Sequence, residues 1–244
     1  MLPSLIQPCS SGTLLMLLMS NLFLWEKVSS APINASEDVL SDLKDLFDNA
    51  TLLSGKMSKL GVNMRKEFFM NSFSSDKFNE IILDLHKNKE KLTKAFNSCH
   101  TVPINVPETI EDIRKTSFED FLKMVLHMLL AWKDPLKHLV TELSALPECP
   151  YSILSKAKAI EAKNKDLLEY IIRIISLVNP AIKENEDFPT WSDLDSLKAA
   201  DKETQIFALY MFSFCLRIDL ETLDFLVNFL KCLLLYDDVC YSEF

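Results

Sequence analysis

Four long stretches of the chain show one repeating pattern of apolar and polar positions. Within each stretch, apolar residues recur at every third or fourth position, as Leu40, Leu43 and Phe47 do near the start of the first. Positions with this spacing lie on one face of an α-helix, so the pattern predicts helices rather than strands. We expect four long helices, at residues 36–71, 117–147, 152–180 and 202–235.

The links between these helices differ in length, and their lengths predict how the helices run. The link at residues 147–150 is short, which makes the second and third helices antiparallel neighbours. The links at 72–116 and 180–200 are long enough to carry the chain back along a bundle. The sequence therefore predicts an all-α fold, an up-up-down-down four-helix bundle with two long crossover links.

The polar residues of the fourth helix lie along one face of it. Arg217, Glu221, Asp224, Asn228 and Lys231 follow one another at steps of four and three residues. Most other positions of this helix are apolar, so we expect the helix to be buried on most sides. Its charged residues interrupt the apolar run, and we therefore do not expect the helix to insert into a membrane.

The composition of the chain argues against several classes of function. The 244 residues include only 3 glycines and carry a net charge of −9, which makes the chain a poor partner for nucleic acid. None of the four histidines stands at a metal-ligand spacing from cysteines or carboxylates, and a glycine-rich phosphate loop is absent. We expect neither an enzyme nor a protein that needs a metal or a cofactor.

The first thirty residues have the pattern of a secretory signal peptide. The apolar run at residues 13–25 is short for a membrane span, and small residues at 28–30 favour cleavage after Ser30. We therefore divide the chain into a signal peptide at 1–30 and a secreted, extracellular bundle domain at 31–244. In that setting the sequons at Asn34 and Asn49 are candidate glycosylation sites.

Removal of the signal peptide leaves the five cysteines Cys99, Cys149, Cys215, Cys232 and Cys240. Four cysteines can pair in three ways, and sequence alone does not choose among them. The close spacing of Cys232 and Cys240 favours a clip after the fourth helix. Cys99 opens a strap at residues 99–107, which contains two prolines and is expected to be extended. A bond from Cys99 to Cys215 would hold this strap against the bundle, and would leave Cys149 free or paired between chains.

A motif with a specific spacing runs through the strap and the second helix: Cys99, Thr101, Ile104, Pro107, Ile113, Phe121, Met128, Ala131 and Trp132. Further motifs lie at residues 132–136, 153–157, 183–186 and 230–232. In these residues the chain resembles the prolactin and growth hormone family over essentially its whole mature length. Within the family it most resembles the rodent placental prolactin-like proteins, and among them the prolactin-like protein C group.

This resemblance implies a secreted, non-enzymatic hormone of the placenta with the fold of a long-chain cytokine. It implies the disulfides Cys99–Cys215 and Cys232–Cys240, and action through a cytokine-type receptor. Prolactins usually carry an additional N-terminal disulfide, whereas this chain has no cysteine between Ser30 and Cys99. The link between the first two helices is also longer here than in prolactin.

The resemblance also identifies two candidate receptor faces. In prolactin-type hormones one receptor contacts a stripe of polar and basic residues on the fourth helix, and only the tyrosine of that stripe is kept here. A second receptor packs into a groove opened by a glycine of the third helix, where this chain has Tyr170. The positions that match the stripe, which we call the receptor stripe, are Tyr210, Phe214, Ile218 and Thr222.

These differences predict that the chain does not activate the prolactin receptor by the usual two-to-one assembly. The apolar stripe then serves a different receptor. The alternative is structural, with the receptor stripe packed under a loop and Tyr170 a half-buried tyrosine. A further alternative is a secreted four-helix protein that binds a matrix or carrier partner without signalling. We expect a monomer, with a dimer linked through Cys149 as the alternative.

Overall fold

The computed structural model describes residues 37–182 and 187–236, and within these ranges the chain is mostly helical and has no strand. The four long helices of the all-α prediction are present as α1, α5, α6 and α8, so that prediction is confirmed. Shorter helices lie in the two long links. In chain order the helices are α1 (Glu37–Met70), α2 (Ser75–Lys87), α3 (Lys89–Asn97), α4 (Ile110–Lys115), α5 (Phe118–Ala145), α6 (Tyr151–Val178), α7 (Leu194–Leu197) and α8 (Lys202–Tyr236).

Side chains that accept backbone N–H hydrogen bonds determine where two of the long helices begin. Ser117 caps the first turn of α5, and Asp201 caps the first turn of α8. The sequence pattern also places a cap at Ser152, and this expectation is wrong because α6 already begins after Pro150. The Ser152 hydroxyl donates instead to the carboxylate of Glu67 on α1, at 3.0 Å.

The helices α1 and α8 are antiparallel neighbours joined by polar contacts. Asp48, early in α1, pairs with Lys231 late in α8 at 2.6 Å. One to two turns further along α1, the Ser54 hydroxyl donates to Asp224, again at 2.6 Å. Asp224 and Lys231 therefore face α1, whereas Glu221 and Asn228 on the same polar stripe are exposed.

The same reasoning gives the directions of the other two helices. Glu67, late in α1, accepts a hydrogen bond from Lys156, early in α6, at 3.0 Å. The rings of Phe121, early in α5, and Phe229, late in α8, are 5.2 Å apart. These contacts show that α6 and α8 each run opposite to α1, and that α5 runs opposite to α8. The helices α1 and α5 therefore point in one direction, and α6 and α8 point in the other.

A glycine of α1 lies directly against α8. A Cβ on Gly61 would be 2.8 Å from Cδ1 of Leu220, which is too close for a real contact. A Cβ on Gly55 would meet only the Asp224 carboxylate, at an ordinary 3.6 Å. Glycine disfavours a helix interior, but at position 61 its missing side chain permits the contact with α8.

The first long link has more structure than the sequence predicts. One short helix is expected there, whereas α2, α3 and α4 are present. Asn88 separates α2 from α3, because its extended backbone ends one helix and its side chain caps the next. The strap is not extended throughout, since a 3-10 turn lies at Val102–Ile104 and Asn105 has a left-handed φ of 54°.

Candidate functional site

Three consecutive residues anchor the strap to the bundle, and the first of them is a cysteine. Cys99 forms a disulfide with Cys215 of α8, with 5.5 Å between the two Cα atoms. This pairing confirms the bond predicted between the strap and the fourth helix. The bonded cysteines are 116 residues apart in sequence, and a closed loop of this size is worth about 4–5 kcal/mol in the chain-entropy model.

The second anchor is His100, which fills a gap in the hydrogen bonding of α5. Pro135 lies inside α5, and because proline lacks an N–H it leaves the carbonyl of Ala131 without its helical donor. Nε2 of His100 lies 3.2 Å from that carbonyl oxygen and donates to it. Burial lowers the pKa of His100, so the ring is held in the neutral form.

The third anchor is Thr101, whose hydroxyl donates to the buried carboxylate of Asp219 at 2.6 Å. The indole N–H of Trp132 donates to the same oxygen at 2.8 Å. Asp219 thereby joins the strap, α5 and α8 at one point. Desolvation by burial raises the pKa of Asp219 to about 6, although both hydrogen bonds act in the opposite direction.

The receptor stripe is not a continuous exposed surface. Tyr210 is only 1% exposed and Phe214 only 7% exposed, and both belong to the core. Ile218 and Thr222 are half-buried. Tyr210 and Phe214 are therefore core residues rather than exposed ones, as the structural alternative expects, and contact of the receptor stripe with a receptor stays a prediction.

Two aromatic residues of the first link cover the buried part of the receptor stripe. The ring of Phe78 on α2 lies 5.1 Å from that of Tyr210, and the ring of Phe96 on α3 lies 4.9 Å from that of Phe214. Edge-to-face contacts of this kind add to the stability gained from burial alone. We call these four residues the aromatic cluster, and it fastens α2 and α3 onto α8.

A buried cation lies inside this cluster. The guanidinium of Arg65 is 4.5 Å from the ring centre of Tyr210 and 5.3 Å from that of Phe214. Its Nη1 donates to the Tyr210 carbonyl at 3.2 Å and to the Ser213 hydroxyl at 2.9 Å. Burial lowers the pKa of Arg65, and the aromatic faces partly replace its lost hydration.

Tyr170, the residue of the second candidate face, lies on the opposite side of α1. It is half-buried, packs against the core and lines an open groove between α1 and α6. This α1–α6 groove has a volume of about 270 Å³. Its lining residues are Asn49, Leu52 and Leu53 from α1 and Asp166, Glu169, Tyr170 and Arg173 from α6.

Of the two sequons, only one falls in the described part of the chain. Asn49 is exposed on α1, and its amide nitrogen donates to the carbonyl of Asp45 at 2.8 Å. Asn34 and the predicted cleavage site after Ser30 lie outside the described residues. The exposed position of Asn49 satisfies the steric requirement of a glycan.

The remaining cysteines are in different states. Cys149 is a free, half-buried thiol, and burial raises its pKa. A raised pKa disfavours the thiolate that disulfide exchange requires. Cys232 is disulfide-bonded, and its predicted partner Cys240 lies outside the described residues.

Residues 37–182 and 187–236 contain neither a metal-binding cluster nor a membrane-spanning helix. No group of three or more His, Cys, Asp or Glu residues in these ranges is arranged to hold a metal ion. No helix there is long and apolar enough to cross a membrane. The surfaces that match the two candidate receptor faces are the covered receptor stripe and the open α1–α6 groove.

The sequence does not reveal the partners that the structure gives to Arg65, His100 and Asp219. A signal for His100 exists in the sequence, because a proline inside a predicted helix leaves a carbonyl in need of a donor. The positions of Arg65 and Asp219 among apolar residues are a weaker indication that their charges make buried polar contacts. Neither signal indicates the partner, since the partners are distant in sequence.

Comparison with known proteins adds an independent line of observation. Residues 17–240 match the model of the somatotropin hormone family. The chain is 91% identical to Prolactin-7D1 of Mus musculus over 244 residues, which is 100% of each chain. It is 47% identical over 244 residues to Prolactin-7C1 of Mus musculus, covering 99% of this chain and 97% of that one. It is 42% identical over 231 residues to Prolactin-7B1 of Rattus norvegicus, covering 94% and 92% of the two chains.

Proposed function

Because the chain belongs to the somatotropin hormone family, we propose that it is a secreted placental hormone that binds a cytokine-type receptor at the cell surface. In this proposal the signal peptide at 1–30 is removed after Ser30, and the domain at 31–244 is the hormone. Asn49 carries a glycan, with Asn34 as a second acceptor. The tail is closed by a Cys232–Cys240 disulfide.

The proposed receptor is not the prolactin receptor in its two-to-one assembly, and the state of the receptor stripe carries this part of the proposal. Tyr210 and Phe214 lie under α2 and α3, where a receptor cannot reach them without displacing both helices. Ile218 and Thr222 remain partly accessible. They supply none of the charge-assisted hydrogen bonds, each worth about 1.5–3 kcal/mol, that basic residues could make.

The second receptor face supports the same proposal. Where prolactin-type hormones have a glycine, Tyr170 places a phenol ring in the α1–α6 groove. A partner backbone that approaches a glycine closely would meet this ring. A hormone with both faces altered is expected to signal through another receptor.

A reporter assay for the prolactin receptor tests the proposal. We expect the mature protein to give no activation at concentrations at which prolactin saturates the response. Full activation by the unmodified protein would contradict the proposal. Capture of cell-surface proteins by the mature protein, followed by assay of receptor phosphorylation, identifies the receptor that it does use.

A variant that restores features of the two receptor faces of prolactin-type hormones provides a second test in the same assay. Ile218→Arg and Thr222→Lys return basic residues at the accessible end of the receptor stripe, and Tyr170→Gly reopens the groove in protein from which N-glycans have been removed. Phe214 is left unchanged because it is part of the core. Partial activation by the triple variant supports the proposal, and the exposed Thr141→Lys on α5 is the control for added charge.

The alternative function, binding of a matrix or carrier partner without signalling, is an outcome of the same capture experiment. It is supported if the captured partner is not a receptor and receptor phosphorylation is absent. We propose a monomer in either case. The half-buried state and raised pKa of the Cys149 thiol favour a monomer over a dimer linked through that residue.

A further inference from the structure

Asn49 and Tyr170, two residues with separate expected roles, line the same groove. Asn49 belongs to the α1 wall and Tyr170 to the α6 wall of the α1–α6 groove. From this geometry we infer that a glycan on Asn49 lies over the groove and closes it to protein partners. The inference rests on the glycosylation of Asn49 that forms part of the proposed function.

The conformation of Asn49 is compatible with the modification. An asparagine amide carries two hydrogens on its nitrogen, and glycosylation replaces only one of them. The nitrogen of Asn49 already donates one hydrogen to the Asp45 carbonyl, at 2.8 Å. If the sugar replaces the other hydrogen, the side chain keeps its present hydrogen bond after modification.

The groove is lined by groups that can contact sugar. Its volume of about 270 Å³ is slightly below the range of ligand pockets, about 300–1,000 Å³, so the lining rather than the volume supports the inference. The Tyr170 ring offers an apolar face, while Asp166, Glu169 and Arg173 offer acceptors and donors for hydroxyl groups. A saccharide has both kinds of surface, which suits this lining.

The neighbouring apolar surface also supports the inference. Leu52 is 55% exposed and lies one turn from Asn49 on the same face of α1. Leu53 also lines the groove. A glycan over the groove would shield these side chains from water, and it would leave only the remaining surfaces of the bundle open to a receptor.

Hydroxyl-radical footprinting of protein secreted from mammalian cells tests the inference. The labelling of Tyr170 is compared before and after enzymatic removal of N-glycans, with Tyr151 as the internal control because it is 82% exposed and lies at the other end of α6. We expect the labelling of Tyr170 to rise severalfold on removal and that of Tyr151 to stay constant. Thr51→Ala, which destroys the sequon, should reproduce the rise without any enzyme.

Two control variants make the result specific. Thr51→Ser keeps the sequon at Asn49 and should keep the protection of Tyr170. Asn34→Gln removes the other sequon and should also keep the protection. Circular dichroism of each variant checks that the bundle is intact.

Two results would overturn the inference. One is a glycopeptide that carries sugar on Asn49 while Tyr170 is labelled equally with and without it. The other is an Asn49 peptide that is never glycosylated in the secreted protein. Neither result depends on a receptor, so failure here is distinguishable from failure of the proposed hormone activity.

Discussion

The two sides of α1 are built in opposite ways. On the side of α8, the link helices α2 and α3 cover the bundle, and the disulfide, the strap anchors and the aromatic cluster hold that cover in place. On the side of α6, the helix boundary is an open groove lined by charged residues, one tyrosine and two leucines. In the proposed function, one receptor face is lost because the first link covers it, and the other is lost because the Tyr170 ring occupies it.

The difference also separates residues that determine stability from residues that leave it unchanged. On the covered side, Phe78 is fully buried and touches Tyr210. On the open side, Leu52 is largely exposed. Mutations of the covered side should therefore lower the free energy of unfolding, whereas mutations of the groove should alter recognition alone.

Removal of the strap disulfide should have the largest effect on the covered side. Replacement of both Cys99 and Cys215 by serine should lower the free energy of unfolding by about 4–5 kcal/mol, because the unfolded chain regains the entropy of a long loop. Urea denaturation measures the loss. Cys149→Ser, which breaks no bond, is the control, and a double variant as stable as that control would contradict the prediction.

Truncation of the aromatic cover should have the next largest effect. Phe78→Ala should lower the free energy of unfolding by about 3–5 kcal/mol, because it leaves a cavity over Tyr210. Leu52→Ala on the groove side should change stability by less than about 0.5 kcal/mol. Thermal or urea unfolding measures both variants. Equal losses of unfolding free energy in Phe78→Ala and Leu52→Ala would contradict the difference between the two sides.

The pH dependence of stability tests the buried carboxylate under the strap. Asp219 has a pKa raised from 3.8 to about 6 in the folded protein, so the folded state holds its proton more tightly than the unfolded state does. Its contribution to stability is present below about pH 4 and is lost as the pH rises through about 6. At about 1.4 kcal/mol per pH unit, the loss is roughly 3 kcal/mol.

Asp219→Asn removes this titration and keeps an oxygen that can accept from Thr101 and Trp132. Urea unfolding at several pH values between about 4 and 7 should therefore show the variant gaining stability relative to the wild type as the pH rises. The exposed Asp193→Asn is the matched control. A constant difference between the Asp219 variant and the wild type across this range would rule out a raised pKa.

The smallest expected effect concerns the hydrogen bond from His100 to α5. His100→Ala leaves the Ala131 carbonyl without a donor and should cost about 1–2 kcal/mol. In a Pro135→Ala background, the restored backbone N–H can bond to that carbonyl, and the same change should cost about 1 kcal/mol less. A double-mutant cycle measures this coupling, and a coupling of zero would show that the histidine does not replace the missing helical donor.

Most of the fold could be predicted from the sequence, and the reason is local. The spacing of apolar residues and the caps at Ser117 and Asp201 are signals that each concern a single helix. The four long helices could therefore be predicted correctly. The resemblance to the prolactin and growth hormone family is confirmed by the family match over residues 17–240, and the Cys99–Cys215 bond by the structure. The burial of the receptor stripe could not be predicted in this way, because periodicity shows which residues share a helix face but not which part of the chain covers that face.

The sequence by itself determined the four long helices and their apolar faces, since each of these depends on neighbours a few residues away, and it fixed the positions of the cysteines. Only the tertiary structure decided that Tyr210 and Phe214 are buried, that Gly61 permits a close helix contact, and that Asn49 and Tyr170 share a groove. These features depend on residues far apart in sequence. The path of a long link brings such residues together, and the local helical pattern carries no information about that path.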